Sequence, residues 1–294
     1  SIQVSGTSGK GSTAYLISHI LTTVGYKTGL TISPHLQKVN ERLQINGDPI
    51  SDLEFTNLIA SMIRIIGKMK RMLVGEPSYF EITMAMAFKY FAEQKVDIAI
   101  VEVGMEGKYD ASNTLKPLIA VLTNIDLDHT ELLGNTVEEI AKEAVEIIRT
   151  LPSGGKQNVI TGVKQQSVIK IVEEKAKKVG AKMFRLYKDF GLTKCEVSLL
   201  GNYQKENASF AIQTVLQLRK FGFKISDKDI RKALKTAFFP GRFEIISLKD
   251  TKILRYKDIK NKIIKSPNNL ISQYPNIQIV LDGAHNPAKM RAFL

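Results

Sequence analysis

The segment Val4-Ser5-Gly6-Thr7-Ser8-Gly9-Lys10-Gly11-Ser12-Thr13 holds the residue types that bind phosphate. Glycines let backbone N–H groups close around anionic oxygens, and a helix starting at such a turn adds partial positive charge. Lys10 would reach the outer phosphates of a nucleotide, while Ser12 or Thr13 would touch phosphate or magnesium. Only two residues separate Gly6 from Gly9, so the spacing departs from the strict G-x4-G-K-[ST] pattern. An ordinary glycine-rich turn would explain the glycines, but not Lys10 and the hydroxyl pair beside it.

Such a loop needs a strand before it and a helix after it. Ser1 to Ser5 reads as a buried strand, and Leu16, Ile17, Ile20, Leu21 and Val24 have the spacing of one buried helix face, with Gly25 placed to cap it. Lys27 to Ser33 reads as a strand. Ser51-x-x-Glu54, Ser78-x-x-Glu81 and Thr136-x-x-Glu139 are capping-box patterns. They predict helices over 52–73, from 78 onward, and over 136–149. Asp97 to Val103 and Leu118 to Thr123 are continuous apolar strands, as in a parallel sheet covered on both faces. Further on, the pattern predicts strands at 158–161, 183–186, 195–200, 243–248, 252–256 and 277–281, and helices over 166–179, 202–221 and 227–237. The alternation implies an α/β fold with a mostly parallel sheet. A domain boundary is expected near 240, with an ATP-binding unit over 1–240. Residues 241–294 are too short for a second complete α/β domain, and the chain is expected to be incomplete at both ends.

The chain has 294 residues, 44% of them hydrophobic, enough for a full core, which excludes disorder and fibrous folds. One cysteine, Cys195, excludes a disulfide framework and a cysteine-rich zinc site. No apolar run reaches the roughly 18–20 residues of a membrane span, and no signal peptide is visible. A cytoplasmic protein is expected. The net charge of +13 favours anionic partners, though lysines on solvated faces account for such a balance equally well. No recognition helix or aromatic-interleaved basic sheet supports nucleic-acid binding.

The loop G-T-S-G-K-G-S-T resembles the G-T-x-G-K-G-S of folylpolyglutamate and dihydrofolate synthases, members of the Mur ligase superfamily. The resemblance extends in order through Ser33-Pro34-His35-Leu36, Glu41-Arg42, Tyr79-Phe80-Glu81, Glu102-Val103-Gly104, Asp110-Ala111-Ser112-Asn113 and Thr123-Asn124-Ile125. It continues through Asp128-His129, Leu133-Gly134-Asn135-Thr136, Gln204, Asn207-Ala208, Pro240-Gly241-Arg242 and Asp282-Gly283-Ala284-His285-Asn286-Pro287. It implies an ATP-dependent ligase that phosphorylates a carboxylate, after which an amine displaces phosphate from the acyl phosphate. The expected partners are ATP, magnesium, L-glutamate and a folate or related pterin, and a monomer is expected.

Residue by residue, the resemblance implies that Thr7, Ser8, Gly9, Lys10, Gly11, Ser12, Thr13, Asn207, Arg242, Asp282 and His285 hold the nucleotide. It assigns magnesium to Ser33, Glu102 and His129, and catalysis to Lys10, His129 and Arg242. Substrate contacts would come from Tyr79, Phe80, Glu81, Tyr109, Asp110 and Ala111. Three departures stand out. Glu106 occupies a position where the family often has glycine, and Lys108 one where it has arginine. Ala144 stands where the family carries a lysine that becomes carbamylated; Lys142 lies about 200° away around a helix and cannot substitute. The rest of the family's ligase domain is not in this sequence. Besides folate ligation, the residues leave open a superfamily ligase for another carboxylate, and a non-catalytic nucleotide-binding module.

Overall fold

The computed structural model describes residues 1–72, 75–152, 154–247, 278–284 and 289–290. In chain order its elements are β1 (Ile2–Ser5), α1 (Lys10–Val24), β2 (Thr28–Thr31), β3 (Leu43–Ile45), β4 (Asp48–Pro49), α2 (Asp52–Arg71), α3 (Tyr79–Glu93) and β5 (Ile98–Glu102). Next come β6 (Ile119–Leu122), α4 (Thr130–Leu133), α5 (Val137–Ala144), β7 (Asn158–Thr161), α6 (Gln166–Val179) and β8 (Lys182–Arg185). The last are α7 (Tyr203–Leu218), α8 (Asp227–Thr236), β9 (Glu244–Ser247) and β10 (Gln278–Leu281).

Eight strands form one sheet in the order β4-β3-β2-β5-β1-β6-β7-β8. The six from β2 to β8 run parallel, and β3 and β4 add an antiparallel edge. Side chains alternate across a strand, and β1 shows what that does here. Ile2 and Val4 enter a core built with α1, α7 and α8, through Leu16, Phe210 and Leu234. Gln3 and Ser5 point to the other face, where Ala120, Ile140 and Val172 form a second core with α5 and α6. A third cluster joins α2 and α3 through Leu58, Met62, Met86 and Phe91. The predicted α/β architecture is the observed one.

The three capping boxes form as read: Ser51, Ser78 and Thr136 accept from the backbone N–H of Glu54, Glu81 and Glu139. Gly25 caps α1 at φ 106°. Elsewhere the sequence reading needs correction. Residues 195–200 form a loop, because the Ser198 N–H and hydroxyl bond to Leu234 O and Ala237 O at the end of α8, 3.0 and 2.5 Å away. The helix expected to reach 149 stops at Ala144 and continues as a single 3-10 turn to Ile147. The β3–β4 hairpin is an addition, turning through Asn46 and Gly47 at φ 54° and 89°, the left-handed values that two-residue hairpin turns demand. The strand expected at 252–256 lies outside the described residues. Strands β9 and β10 pair antiparallel in a small sheet of their own.

Candidate nucleotide site and adjoining cavity

Strand β1 is central in the sheet, with β5 on one side and β6 on the other. Its carboxyl end is therefore a switch point, the place where open α/β sheets bind ligands. The Gly6–Gly9 turn leaves that end and feeds α1, which starts at Lys10. Gly9 takes a left-handed φ of 78°, and a Cβ there would lie 2.4 Å from Asn207 Oδ1. Only glycine fits both constraints. Lys10 curls back so that Nζ donates to Gly6 O at 2.5 Å, laying the ammonium over the turn.

Two segments from elsewhere in the chain complete the loop. From the end of β6, Asn124 accepts the Thr7 N–H through its carbonyl and the Ser8 N–H through Oδ1, both at 3.0 Å. Thr7 Oγ1 donates to Asp126 O at 3.1 Å and accepts from the Asp126 N–H at 2.9 Å. The polar groups of Thr7 and Ser8 thus brace the turn against the β6 loop. From the first turns of α7, Asn207 Oδ1 accepts from Thr13 Oγ1 at 3.5 Å, and Gln204 Nε2 donates to Ser12 Oγ at 3.5 Å. An Asn207 Nδ2 to Gln204 Oε1 bond of 2.9 Å ties the two together.

Ser33 and Glu102, at the ends of neighbouring parallel strands, are brought together: the Ser33 N–H donates to Glu102 Oε2 at 2.6 Å. Glu102 is buried, which pushes its carboxyl pKa up, while Lys10, the Ser33 N–H, Arg242 and Arg42 pull it down. Its oxygens lie 3.4 and 3.6 Å from where a Cβ on Gly11 would be, so the carboxylate abuts the first turn of α1. His129 caps the short α4 at φ 49° and is exposed, with its N–H bonded to Asp128 Oδ1. No hydrogen bond joins it to Ser33 or Glu102. Among the described residues no three His, Cys, Asp or Glu side chains cluster as a ready metal site.

Arg242 is held by aromatic packing. Tyr15 of α1 stacks on Phe239 at 4.7 Å, and the Arg242 guanidinium lies 5.3 Å from the same Phe239 ring. Asp282, after β10, accepts from Tyr203 OH at 3.0 Å and from the Phe243 N–H at 2.8 Å. Burial and this carboxylate push the Tyr203 phenol pKa well up. Arg242 and Asp282 thus sit on the side of the site that faces α7. His285 lies outside the described residues.

Beside the site, a cavity of about 460 Å³ opens between α3 and the 104–114 loop. Met84, Ala85 and Phe88 form its apolar wall; Glu81, Lys108, Asp110 and Arg149 bring charge, and Tyr109 and Ala111 complete the rim. Four of the six expected substrate residues line it. Tyr79 and Phe80 do not: Tyr79 lies under the Arg42 guanidinium at 5.4 Å, and Phe80 packs against Gly104 in a narrow crevice shared with Ser33 and Glu102. The Asp110 carboxylate accepts from the N–H groups of Gly104, Met105 and Ser112, so it shapes the loop as much as it lines the cavity. Residues that sequence reasoning missed are Arg149, Phe88 and Met84. The spacing of Met84, Ala85, Phe88 and Phe91 marks one apolar stripe of α3, from which Ala85 departs by being exposed, and nothing local marked Arg149. Ala144 is buried among Val103 and Ile140, and Lys142 is exposed on the opposite side of α5.

The Mur ligase middle domain model matches residues 4–215. The dihydrofolate synthase/folylpolyglutamate synthase of Bacillus subtilis is 36% identical over 267 residues, covering 83% of this chain and 61% of that protein. The folylpolyglutamate synthase of Lacticaseibacillus casei is 31% identical over 310 residues, covering 97% of this chain and 65% of its own length. This chain therefore spans less than two thirds of either curated relative. Among solved structures, the FPGS–AMPPCP–folate complex superposes with a TM-score of 0.84 at 30% identity, over 99% of this chain and 69% of that one. Folylpolyglutamate synthase from Thermotoga maritima gives 0.80 at 31% identity, over 99% and 64%. With its glycine-rich switch-point loop and this breadth of likeness, the chain belongs to the Mur ligase family, in its folylpolyglutamate/dihydrofolate synthase branch.

Proposed function

We propose that this chain is the nucleotide-binding part of an ATP-dependent ligase that joins glutamate to the carboxylate of a folate or pteroate through an acyl phosphate. The observation that carries the reading is the Lys10 ammonium laid over the Gly6–Gly9 turn, beside buried Glu102 and closed by Asn207. Gly9, Lys10, Gly11, Ser12 and Thr13 would cradle the phosphates, with Thr7 and Ser8 bracing the turn. Asn207, Arg242, Asp282 and His285 would hold the rest of the nucleotide, and residues 241–294 would begin a second ligase unit. Arg242, a rigid fork, suits a phosphoryl group in transfer.

Carboxylate and hydroxyl oxygens at Glu102 and Ser33 fit magnesium, which prefers oxygen ligands, and His129 is the third residue that would serve it. Magnesium bound there would neutralise charge on the transferring phosphoryl group. The cavity beside α3 would take the flat substrate ring against Phe88 and Tyr109, with Lys108 and Arg149 for its anionic part. A second reading, a different carboxylate substrate, is favoured by Lys108 on the cavity wall where the family pattern has arginine. The remainder of the proposal is a cytoplasmic monomer; among the described residues no helix is long and apolar enough to cross a membrane.

The test is phosphate release by purified protein given ATP, Mg²⁺, L-glutamate and a reduced folate, with tail length followed by mass spectrometry. Release that requires both folate and glutamate is expected. Release equal with and without the folate would sink the assignment.

A further inference from the structure

Glu106 is a buried acid, 7% exposed, that the reaction outlined above does not use. The loop that carries it is pinned on both sides. Asp110 Oδ2 accepts from the Gly104 and Met105 N–H groups at 3.1 and 3.0 Å. The Lys108 N–H donates to Glu143 Oε2 at 2.9 Å, and Asn113 Nδ2 to Gly107 O at 2.7 Å. Held this way, the Glu106 carboxylate reaches under the phosphate loop. Its Oε1 accepts from Ser5 Oγ at 3.2 Å, and the Gly6 N–H bonds to the same carboxylate. Burial pushes the Glu106 carboxyl pKa up, the Lys10 ammonium and the Ser5 hydroxyl pull it down, and Asp128 adds a repulsive charge. The Lys10 ammonium likewise acts on Glu102 as an attractive charge. The lysine that follows the Gly6–Gly9 turn thus lies in the field of two buried carboxylates.

We propose that Glu106 is a specificity-determining residue that makes this loop select a metal-complexed triphosphate over a bare one. The inference rests on the nucleotide reading above and adds to it. A bare triphosphate brings a charge of about −4 to a loop with the Glu106 carboxylate buried beneath it, and magnesium lowers that charge to about −2, halving the repulsion from a fixed carboxylate. The effect is strong because burial keeps water from screening it. The Glu106 side chain also braces Ser5 and Gly6, so charge and shape must be separated by experiment.

The measurement is calorimetric titration of the 294-residue chain with AMPPCP, once in excess Mg²⁺ and once in EDTA. For the wild type, binding in EDTA should be at least 100-fold weaker than in Mg²⁺. Glu106→Gln keeps an oxygen for Ser5 and removes the charge; it should bind in EDTA at least tenfold more tightly than wild type, with less than a threefold change in Mg²⁺. Ser5→Ala keeps the charge and drops the hydroxyl, and should retain the wild-type ratio. Glu106→Ala carries the same expectation as the amide if that variant melts early. A ratio unchanged in Glu106→Gln, or moved equally by Ser5→Ala, would overturn the proposal. So would weaker binding by Glu106→Gln in Mg²⁺ alone, which would make Glu106 a metal ligand. Absence of wild-type binding in both conditions would instead bring down the nucleotide reading, and this inference with it.

Discussion

The backbone N–H of Ser33 meets Glu102 Oε2 at 2.6 Å across the ends of two adjacent parallel strands. This single bond fixes a buried carboxylate at the edge of the sheet and aims it at the first turn of α1. Removing its charge should separate fold from function. Glu102→Gln retains an acceptor for Ser33 and loses a buried charge, whose desolvation opposes folding. The melting temperature should stay within a few degrees of wild type, while the Mg²⁺ concentration needed for half-maximal turnover rises at least tenfold.

Lys10→Ala removes the ammonium that lies over the phosphate turn. Loss of one such charge-stabilising donor typically costs roughly 10²–10³ in rate. Turnover should fall by at least that factor with an unchanged far-ultraviolet circular dichroism spectrum. Turnover within tenfold of wild type would show that the loop does not grip the nucleotide.

On the proposed function, the cavity beside α3 gives a prediction confined to the folate. Phe88→Ala empties part of its apolar wall without touching the phosphate loop. KM for the folate should rise about tenfold, the worth of roughly 1.4 kcal/mol, and KM for ATP should stay within twofold. Equal changes in both would detach the cavity from substrate binding.

Gly162, after β7, tests the packing that supports the site. A Cβ there would lie 2.3 Å from Phe210 Cζ and 2.5 Å from Thr123 O. The second contact is backbone and cannot swing aside, so Gly162→Ala should cost about 1–3 kcal/mol in urea unfolding. Gly67, in α2, has nothing within 4 Å of the added atom, and Gly67→Ala should be neutral or stabilising.

Acid sensitivity follows from the capping boxes. Bonds from the Ser78 backbone and hydroxyl hold the Glu81 carboxyl below its usual pKa, and Ser51 does the same for Glu54. A depressed folded-state pKa gives stability that is present above the unfolded value of about 4.3 and lost as pH falls through the folded value. Ser78→Ala should therefore destabilise by about 1 kcal/mol at pH 7. The gap from wild type should shrink as pH drops below 4, as measured by urea midpoints.

Much of this architecture was legible because local and global signals agree. Three serine or threonine caps placed three helices, and the buried runs around Ile100 and Val121 announced parallel strands before any contact was known. The β3–β4 hairpin escaped because its strands, of 3 and 2 residues, are too short to show an alternating pattern. The 195–200 segment looked like a strand because Val197 and Leu199 alternate, but its hydrogen bonds go to the end of α8. In the candidate site, the loop residues and Glu102 were expected from the sequence and its family resemblance, whereas Arg149 was not. Its guanidinium is aimed by the carbonyls of Glu146 and Asn113, a placement no spacing rule encodes. Glu106 stood out only as a departure, and its bond to Ser5 needed coordinates.

The Thr13–Asn207 contact spans 194 positions of chain. At a synthesis rate of roughly 5–20 residues per second, the turn at Gly9 waits on the order of 10–40 s on the ribosome before α7 exists to close it. During that interval α1 lacks the α7 that packs on it, and a nascent chain released early would present that apolar helix face to its neighbours. The order of the elements thus makes the α1–α7 seam, and with it the clasp on the Gly9 turn, one of the late parts of this core to close during synthesis.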